Sequence, residues 1–353
     1  MRTVYIRTLK RAEHTVFCVQ DGQKYYYDSL FNRRIPYSSG QQIKRSVFDK
    51  LSNVINEQPA PTTFLFDVNS KDELKEGEVF ATCDPAYPDQ LFGGWMKASK
   101  GGNEKTVKRR SPLSISAMRG LHPLLAGVDN ENISFDRSDR PNNQVVVRNE
   151  KGEALTTAQI EALLAGKDRS LSRKWIPDNR RAGGLFVQDI AIDLRRLFSV
   201  TLNSFEPEIS SETESRLRKD GWVESTNVFG PCLVAPLAVR EMLIPALAEA
   251  IIEWSITSNQ ARTFSLMETL AVSISDNANK IAASIRAKLS DEEDNKAYPI
   301  VEEELDGVST YVSLAAGGYI RTKSETYDAL DRAKQKLIDI MMAFDYENQL
   351  MKA

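Results

Sequence analysis

Residues 33–51 read RRIPYSSGQQIKRSVFDKL, an extended entry followed by an apolar pattern of helical period. At about 100° per residue, a helix starting near Gln41 places Ile43, Val47, Phe48, Leu51, Val54 and Ile55 on one face. Lys44 falls inside that apolar stripe and Arg45 sits at its edge. A helix N-terminus offers free backbone N–H groups and the positive end of a dipole, both suited to phosphate. Within SSGQQIKR, Ser39 and Gln41 are expected to add neutral hydrogen bonds, and Lys44 and Arg45 charge. The plainer reading is that Ser38 or Ser39 caps the helix while Lys44 snorkels.

Working outward, Thr3–Leu9 and His14–Val19 read as two short strands and Thr63–Val68 as another. From about residue 70 to 184 the pattern breaks into glycine, proline and charged loops. Gln144–Arg148 is strand-like there, and Thr157–Ala165 is a short helix capped by Thr157. So long an irregular span in a compact chain points to functional insertions. Leu185–Leu194 alternates like a strand. Leu233–Ser258 reads as a helix kinked at Pro245, and Met267–Ser275 as a strand. Asp276 is expected to cap a helix carrying Ile281, Ile285 and Leu289, and a last helix starts near Ser324. Strand, helix, strand, excursion, strand, helix, strand is the order of an α+β, ferredoxin-like or RRM-like core with inserted material.

Composition narrows the function. The chain has 353 residues, 27% of them charged, and a net charge of −3. No run approaches the 18 apolar residues of a membrane-crossing helix. Three scattered cysteines form neither a disulfide framework nor a zinc motif, which fits a reducing cytoplasmic compartment. There is no GxxxxGK[ST], GxSxG or HExxH string, and only two histidines, His14 and His122. The expectation is a protein without catalytic residues, metal or cofactor.

Charge is unevenly placed. Residues 97–119 hold seven basic residues and one acid, whereas 286–353 hold fourteen acids against nine bases. A second basic cluster comprises Lys167, Arg169, Arg173, Lys174, Arg180 and Arg181. Segregation of this kind often marks a polyanion-facing side, which makes Arg109, Arg110, Arg173, Lys174, Arg180 and Arg181 candidates for nucleic-acid contact; the plainer reading is ordinary solvated loops. SAMRG (116–120) closes the first cluster: Arg119 is expected to hold a phosphate, and Met118 either packs on a base or belongs to the core. NQARTFSLMETLAVSISD (259–276) brings Arg262 to a strand entry.

Four stretches then carry a resemblance. RIPYSSGQQIKR is similar to the basic entry of the first helix in the repeated backbone subunit of Cascade, the type I CRISPR surveillance complex. That subunit belongs to the Cas-seven family of the RAMP superfamily. SAMRG resembles the family's Ser-Gly-Arg-Met segment, with methionine and arginine exchanged. AGGLFVQDIAIDL (182–194) resembles the strand after its thumb, and NQARTFSLMETLAVSISD its Gln-Arg-Thr strand entry. The four occur in family order.

The resemblance implies an RRM-like palm at 1–69 and 185–353, including C-terminal helices, with fingers inserted at 70–165 and a thumb-like basic loop at 166–184. It implies a non-catalytic subunit that polymerises head to tail along guide RNA (crRNA) and presents it to a target DNA or RNA strand beside other Cascade subunits. Contacts would then go to phosphate and ribose, because the guide sequence varies. Two alternatives are a type III-like subunit that cuts target RNA, with an acid in 129–139, and a stand-alone RRM-like protein. The second lacks an RNP-type aromatic run.

Overall fold

The computed structural model describes residues 2–18, 22–97, 105–130, 144, 146–166, 180–256, 264–293 and 295–350. In chain order the first half contains β1 (Thr3–Thr15), β2 (Tyr25–Asp28), β3 (Arg33–Ser38), α1 (Gly40–Ile55), β4 (Thr62–Val68), β5 (Leu74–Ala81) and α2 (Pro88–Gly93). Five short strands and a helix follow: β6 (Trp95–Lys97), β7 (Val107–Arg109), β8 (Leu113–Ile115), β9 (Met118–Gly120), β10 (Ala126–Asn130) and α3 (Thr157–Leu164). Then come β11 (Arg180–Asp193), α4 (Leu194–Leu197), β12 (Ser199–Thr201), α5 (Ser211–Lys219), β13 (Val223–Asn227), β14 (Gly230–Val234) and α6 (Leu237–Glu253). The chain closes with β15 (Thr269–Ser275), α7 (Ala278–Ser284), β16 (Ile285–Leu289), β17 (Ala297–Val301), β18 (Ser309–Ser313), β19 (Glu325–Thr326) and α8 (Ala329–Met342).

The fold is α+β. Its main sheet runs β19-β18-β15-β1-β11-β9-β3-β2, with β8 and β10 also paired to β11. β1 lies at its centre, antiparallel to β11 on one side and β15 on the other. Residues 113–130 run antiparallel along β11 in three pieces: Ile115 faces Ile190, Arg119 faces Val187, and Ala126 faces Gly184. They amount to one interrupted strand.

Period-two alternation assigns the two faces. Val4, Ile6 and Ala12 of β1 join Phe186, Ile190 and Ile192 of β11 against Ile43, Val47 and Leu51 of α1 and Leu243, Leu247 and Ile251 of α6. Helix α8 packs on α6 and adds Leu337 and Met341. On the opposite face Leu9 and Leu185 join Ile285, Val301, Val312 and Ile320 in a smaller core. Among the described residues that face is covered by α7, the β16–β17 hairpin and the turn that follows β18, with Leu121 and Leu125 packed beside them.

Helix α1 starts where its sequence says it should. Ser39 has extended dihedrals and its hydroxyl accepts from the Gln42 N–H at 3.3 Å. Asn56 ends the helix in the left-handed region at φ 55°. Gly40 is required by packing, because a Cβ there would lie 2.5 Å from the Ile115 carbonyl oxygen. The mouth of α1 is thus closed over the backbone of the interrupted strand.

Several boundaries differ from the sequence reading. The first expected strand runs on to Thr15 as β1, whose pairing with β11 shifts between Ala12 and Thr15, where His14 has φ 45°. Of the expected second strand, residues 16–18 are not strand and Val19 lies outside the described residues. Thr62–Val68 does not enter the main sheet. Among the described residues it pairs with β5 alone, and the strand position expected of it is taken by β8 and β9. Of the expected strand Gln144–Arg148, Arg148 makes an isolated bridge to Ala154. The cap of α3 is Thr156, in a capping box with Gln159, not Thr157. Leu233 and Val234 end β14, and α6 begins only at Leu237, after Pro236. Asn277, not Asp276, caps α7, and Ile285–Leu289 is strand. These are short elements fixed by tertiary pairing, which local period cannot specify.

Candidate nucleic-acid interface

Strand β9 sorts SAMRG by alternation. Met118 points into the helix-covered core and is fully buried, whereas the Arg119 side chain is 43% exposed on the other face. The break before β9 is stitched to β11: Ser116 N–H donates to the Asp189 carbonyl, and its hydroxyl accepts from the Asp189 N–H, both at 2.9 Å. The Asp189 carboxylate accepts from Arg7 Nε at 2.6 Å and from Arg119 Nη1 at 3.4 Å. Arg7 is further committed to the carbonyls of Ala282 and Ile285. Arg119 is held at one nitrogen and keeps the rest of its guanidinium toward solvent. Beside this pair, Tyr5, Arg7, Ser114, Asp189 and Ala191 floor a cleft of about 410 Å³ walled by Ala278 and Ile281 of α7.

The row continues across the sheet. Arg119 pairs in register with Tyr37, and the Tyr37 and Tyr26 rings lie 6.2 Å apart. Burial and Asp28 push the Tyr26 phenol above its ordinary pKa, and the nearby charge of Arg119 pulls it back. On the other face of the β2–β3 hairpin, Tyr25 carries Arg180 at 4.4 Å and Arg34 at 5.2 Å from its ring. Tyr26 and Tyr27 are 41% and 59% exposed, and Arg33 and Arg34 are exposed beside them. The hairpin turn is fixed by the Asp28 carboxylate, which accepts from the Phe31 N–H at 2.9 Å. Phe31 rests edge-on against His122, whose Nδ1 accepts from the Leu124 N–H. Aromatic faces next to guanidinium groups can stack bases and neutralise phosphates together. The sequence reading missed Tyr25, Tyr26, Tyr37 and Arg34 as site residues. The run YYYDSLFNRR, aromatic strand, turn and basic strand, held the signal.

The remaining candidates divide. Ser39 caps α1, while Gln41 and Arg45 are exposed on its first turn, Arg45 3.9 Å from Asp49. Lys44 is committed elsewhere: its ammonium donates to the carbonyl of Gly93, the last residue of α2, at 2.7 Å and lies 5.8 Å from the Phe48 ring. Burial lowers its pKa. It caps α2 where the sequence suggested a phosphate clamp. Arg109 is likewise corrected. Its side chain is 1% exposed and donates to the carbonyls of Arg196 and Ser199 at 2.6 and 2.9 Å, beside Trp95 and Glu208. Burial lowers its pKa to about 10. Met118 is core, not a base contact. Arg180 and Arg181 open β11 opposite Asn130 and Asp129 instead of lying in a loop, and Arg181 is buried. Arg110 is exposed at the rim of a separate groove. Arg173, Lys174 and Arg262 lie outside the described residues, as do 131–139 of the acid-bearing stretch.

Among the described residues no group of three His, Cys, Asp or Glu side chains is placed to hold a metal. No helix among them is long and apolar enough to cross a membrane.

No family model and no curated protein matches the chain. Among solved structures it is similar to a chain of a CRISPR RNA-guided surveillance complex in a pre-nicking state, with 10% identity. That match covers 96% of this chain and 89% of the other, with a TM-score of 0.44. A second chain, from a CRISPR RNA-guided surveillance complex, shares 13% identity over 97% of this chain and 98% of its own length, with a TM-score of 0.43.

Proposed function

We propose that this chain is a non-catalytic, crRNA-binding backbone subunit of a Cascade-type complex in the Cas-seven family. Copies add head to tail along the guide and offer it to a target strand beside other subunits. The observation that carries the RNA-binding reading is the row Arg119, Tyr37, Tyr26 on the sheet face away from α1 and α6, with Arg34 and Arg180 on Tyr25 at the other face of the same hairpin. It offers charge and stacking, which suit a guide of variable sequence. Two further features support the family. The four motif stretches keep their order, and β1, α1, β8–β9, β11, α6 and β15 follow the βαββαβ order of an RRM-like palm, with strands arranged β15-β1-β11-β8/β9. In this reading the excursions between α1 and β8, and between β10 and β11, serve as fingers and thumb.

The exposed tyrosines also favour a second reading, a stand-alone RRM-like protein that stacks bases on its sheet. One experiment separates them. The chain is co-expressed with a CRISPR array and its neighbouring genes, and the purified particle and its nucleic acid are sized. A multi-copy particle with one uniform RNA supports the backbone role, whereas a monomer on mixed RNA supports the second reading. A nucleic-acid-free monomer overturns both.

A further inference from the structure

The β4–β5 ribbon touches the principal core at its base through Ala81 and, among the described residues, pairs with no other strand. Its register places Phe64 opposite Val79, Phe66 opposite Glu76 and Val68 opposite Leu74, so these side chains share one face. Phe64, Phe66, Val68, Leu74 and Val79 are 62%, 56%, 67%, 75% and 55% exposed. A two-stranded ribbon is marginal on its own, and a contiguous exposed apolar face marks a binding surface. Residues 62–81 carry five carboxylates against two lysines. An arm that is apolar on one face and acidic overall repels a phosphate backbone. It suits a protein.

The same chain carries a complementary receptor. A groove of about 650 Å³ is lined by the apolar Trp95, Met96 and Phe229 and by the cations Lys108, Arg110 and Arg196. Met96 is 65% exposed and Phe229 37%. Lys108 and Arg196 already pair with Glu206 and Glu208, but with the buried Arg109 the lining still holds four cations against two carboxylates. The ribbon face and the groove are both open, so they do not fill each other within one chain. The geometry points to the acidic apolar ribbon of one copy docking in the basic apolar groove of a second copy. With the ribbon of each copy in the groove of the next, the contact is heterologous and repeats along a filament; a reciprocal exchange would close into a dimer and overturn the proposal. This inference rests on the multi-copy reading above for its choice of occupant, and it assigns the ribbon to protein contact instead of RNA contact.

The test uses the full chain on single-stranded RNA, with RNA affinity and particle mass measured separately. The expected result is that Phe64→Asp/Phe66→Asp weakens multi-copy assembly about tenfold or more and leaves one-copy RNA affinity unchanged. Met96→Asp/Lys108→Glu does the same. Mixed together, the two variants form pairs that grow no further, because each retains one intact half of the contact. Wild-type assembly by the ribbon variant, or no pairing in the mixture, overturns the proposal while leaving RNA binding intact. If the groove variant loses RNA affinity instead of assembly, the groove belongs to RNA and the proposal also falls. A wild-type chain that binds RNA but never assembles overturns the proposal together with the multi-copy reading. One that binds no RNA defeats the proposed function itself.

Discussion

Lys44 and Arg119 are both basic residues beside apolar neighbours, yet their environments separate them. Lys44 supplies the missing donor at the end of α2, so Lys44→Ala should cost about 1–2 kcal/mol of stability and leave RNA affinity alone; urea titration and filter binding would check each half. Arg109, with its carbonyl partners and Glu208 buried around it, should cost about 3–5 kcal/mol when changed to Ala, the larger thermal loss of the two. Lys10 adds a pH dependence. It is buried between the Thr269 hydroxyl, 2.8 Å away, and the Trp254 ring and carbonyl. Burial lowers its pKa from 10.5 to about 7, partly offset by Glu253. Between those values the unfolded chain holds the extra proton, so stability should rise from pH 7 toward 10 and stay flat below 7. The difference in unfolding free energy between wild type and Lys10→Met, measured across that range, should show this rise; parallel profiles would refute it. None of these commitments could be read from sequence, because the Gly93, Arg196, Ser199 and Trp254 carbonyls and the Thr269 hydroxyl that Lys44, Arg109 and Lys10 bond lie at least 49 positions away.

At the scale of elements, the legible parts were those whose period is locally determined. Helix α1, its serine cap and the long strands β11 and β15 follow from alternation and capping alone. The interrupted strand 113–130 did not, because its three short pieces gain their order from pairing with the distant β11 and, for β9, with β3. The apolar run in β4 was misplaced for the same reason: its composition suits a core strand, but nothing local says what it faces. The Gly40 contact makes a sharp prediction. Gly40→Ala should misplace α1 against Ile115 and destabilise the chain by about 1–3 kcal/mol, despite the better helix propensity of alanine; an unchanged midpoint in denaturant would contradict the close approach. In the β2–β3 hairpin, Tyr26→Ala should weaken single-stranded RNA binding by about 1–3 kcal/mol at every salt concentration. Arg119→Ala should instead reduce the slope of log affinity against log salt by about one. Salt titrations of the two variants side by side would separate stacking from charge.

Across the whole molecule, the C-terminal stretch that offered no motif closes the principal core. Tyr346 is 1% exposed, stacks edge-on against Phe198 and Phe344, and donates its hydroxyl to the Met341 carbonyl. Burial pushes its phenol pKa far up. Tyr346→Ala should cost about 3–5 kcal/mol, and its unfolding should stay a single transition if α8 and the sheet melt together. Cys18, Cys83 and Cys232 are all buried and reduced, and burial raises the pKa of Cys83 and, to about 11, that of Cys232. Thiolate is the attacking species in alkylation and exchange. Burial of all three thiols should make labelling of the native chain by maleimides and disulfide reagents slow, so that the thiols become a stopwatch for global opening. A single cysteine placed on the surface would carry a fluorophore alone, so distances between neighbouring copies could be followed without first removing any native sulfur.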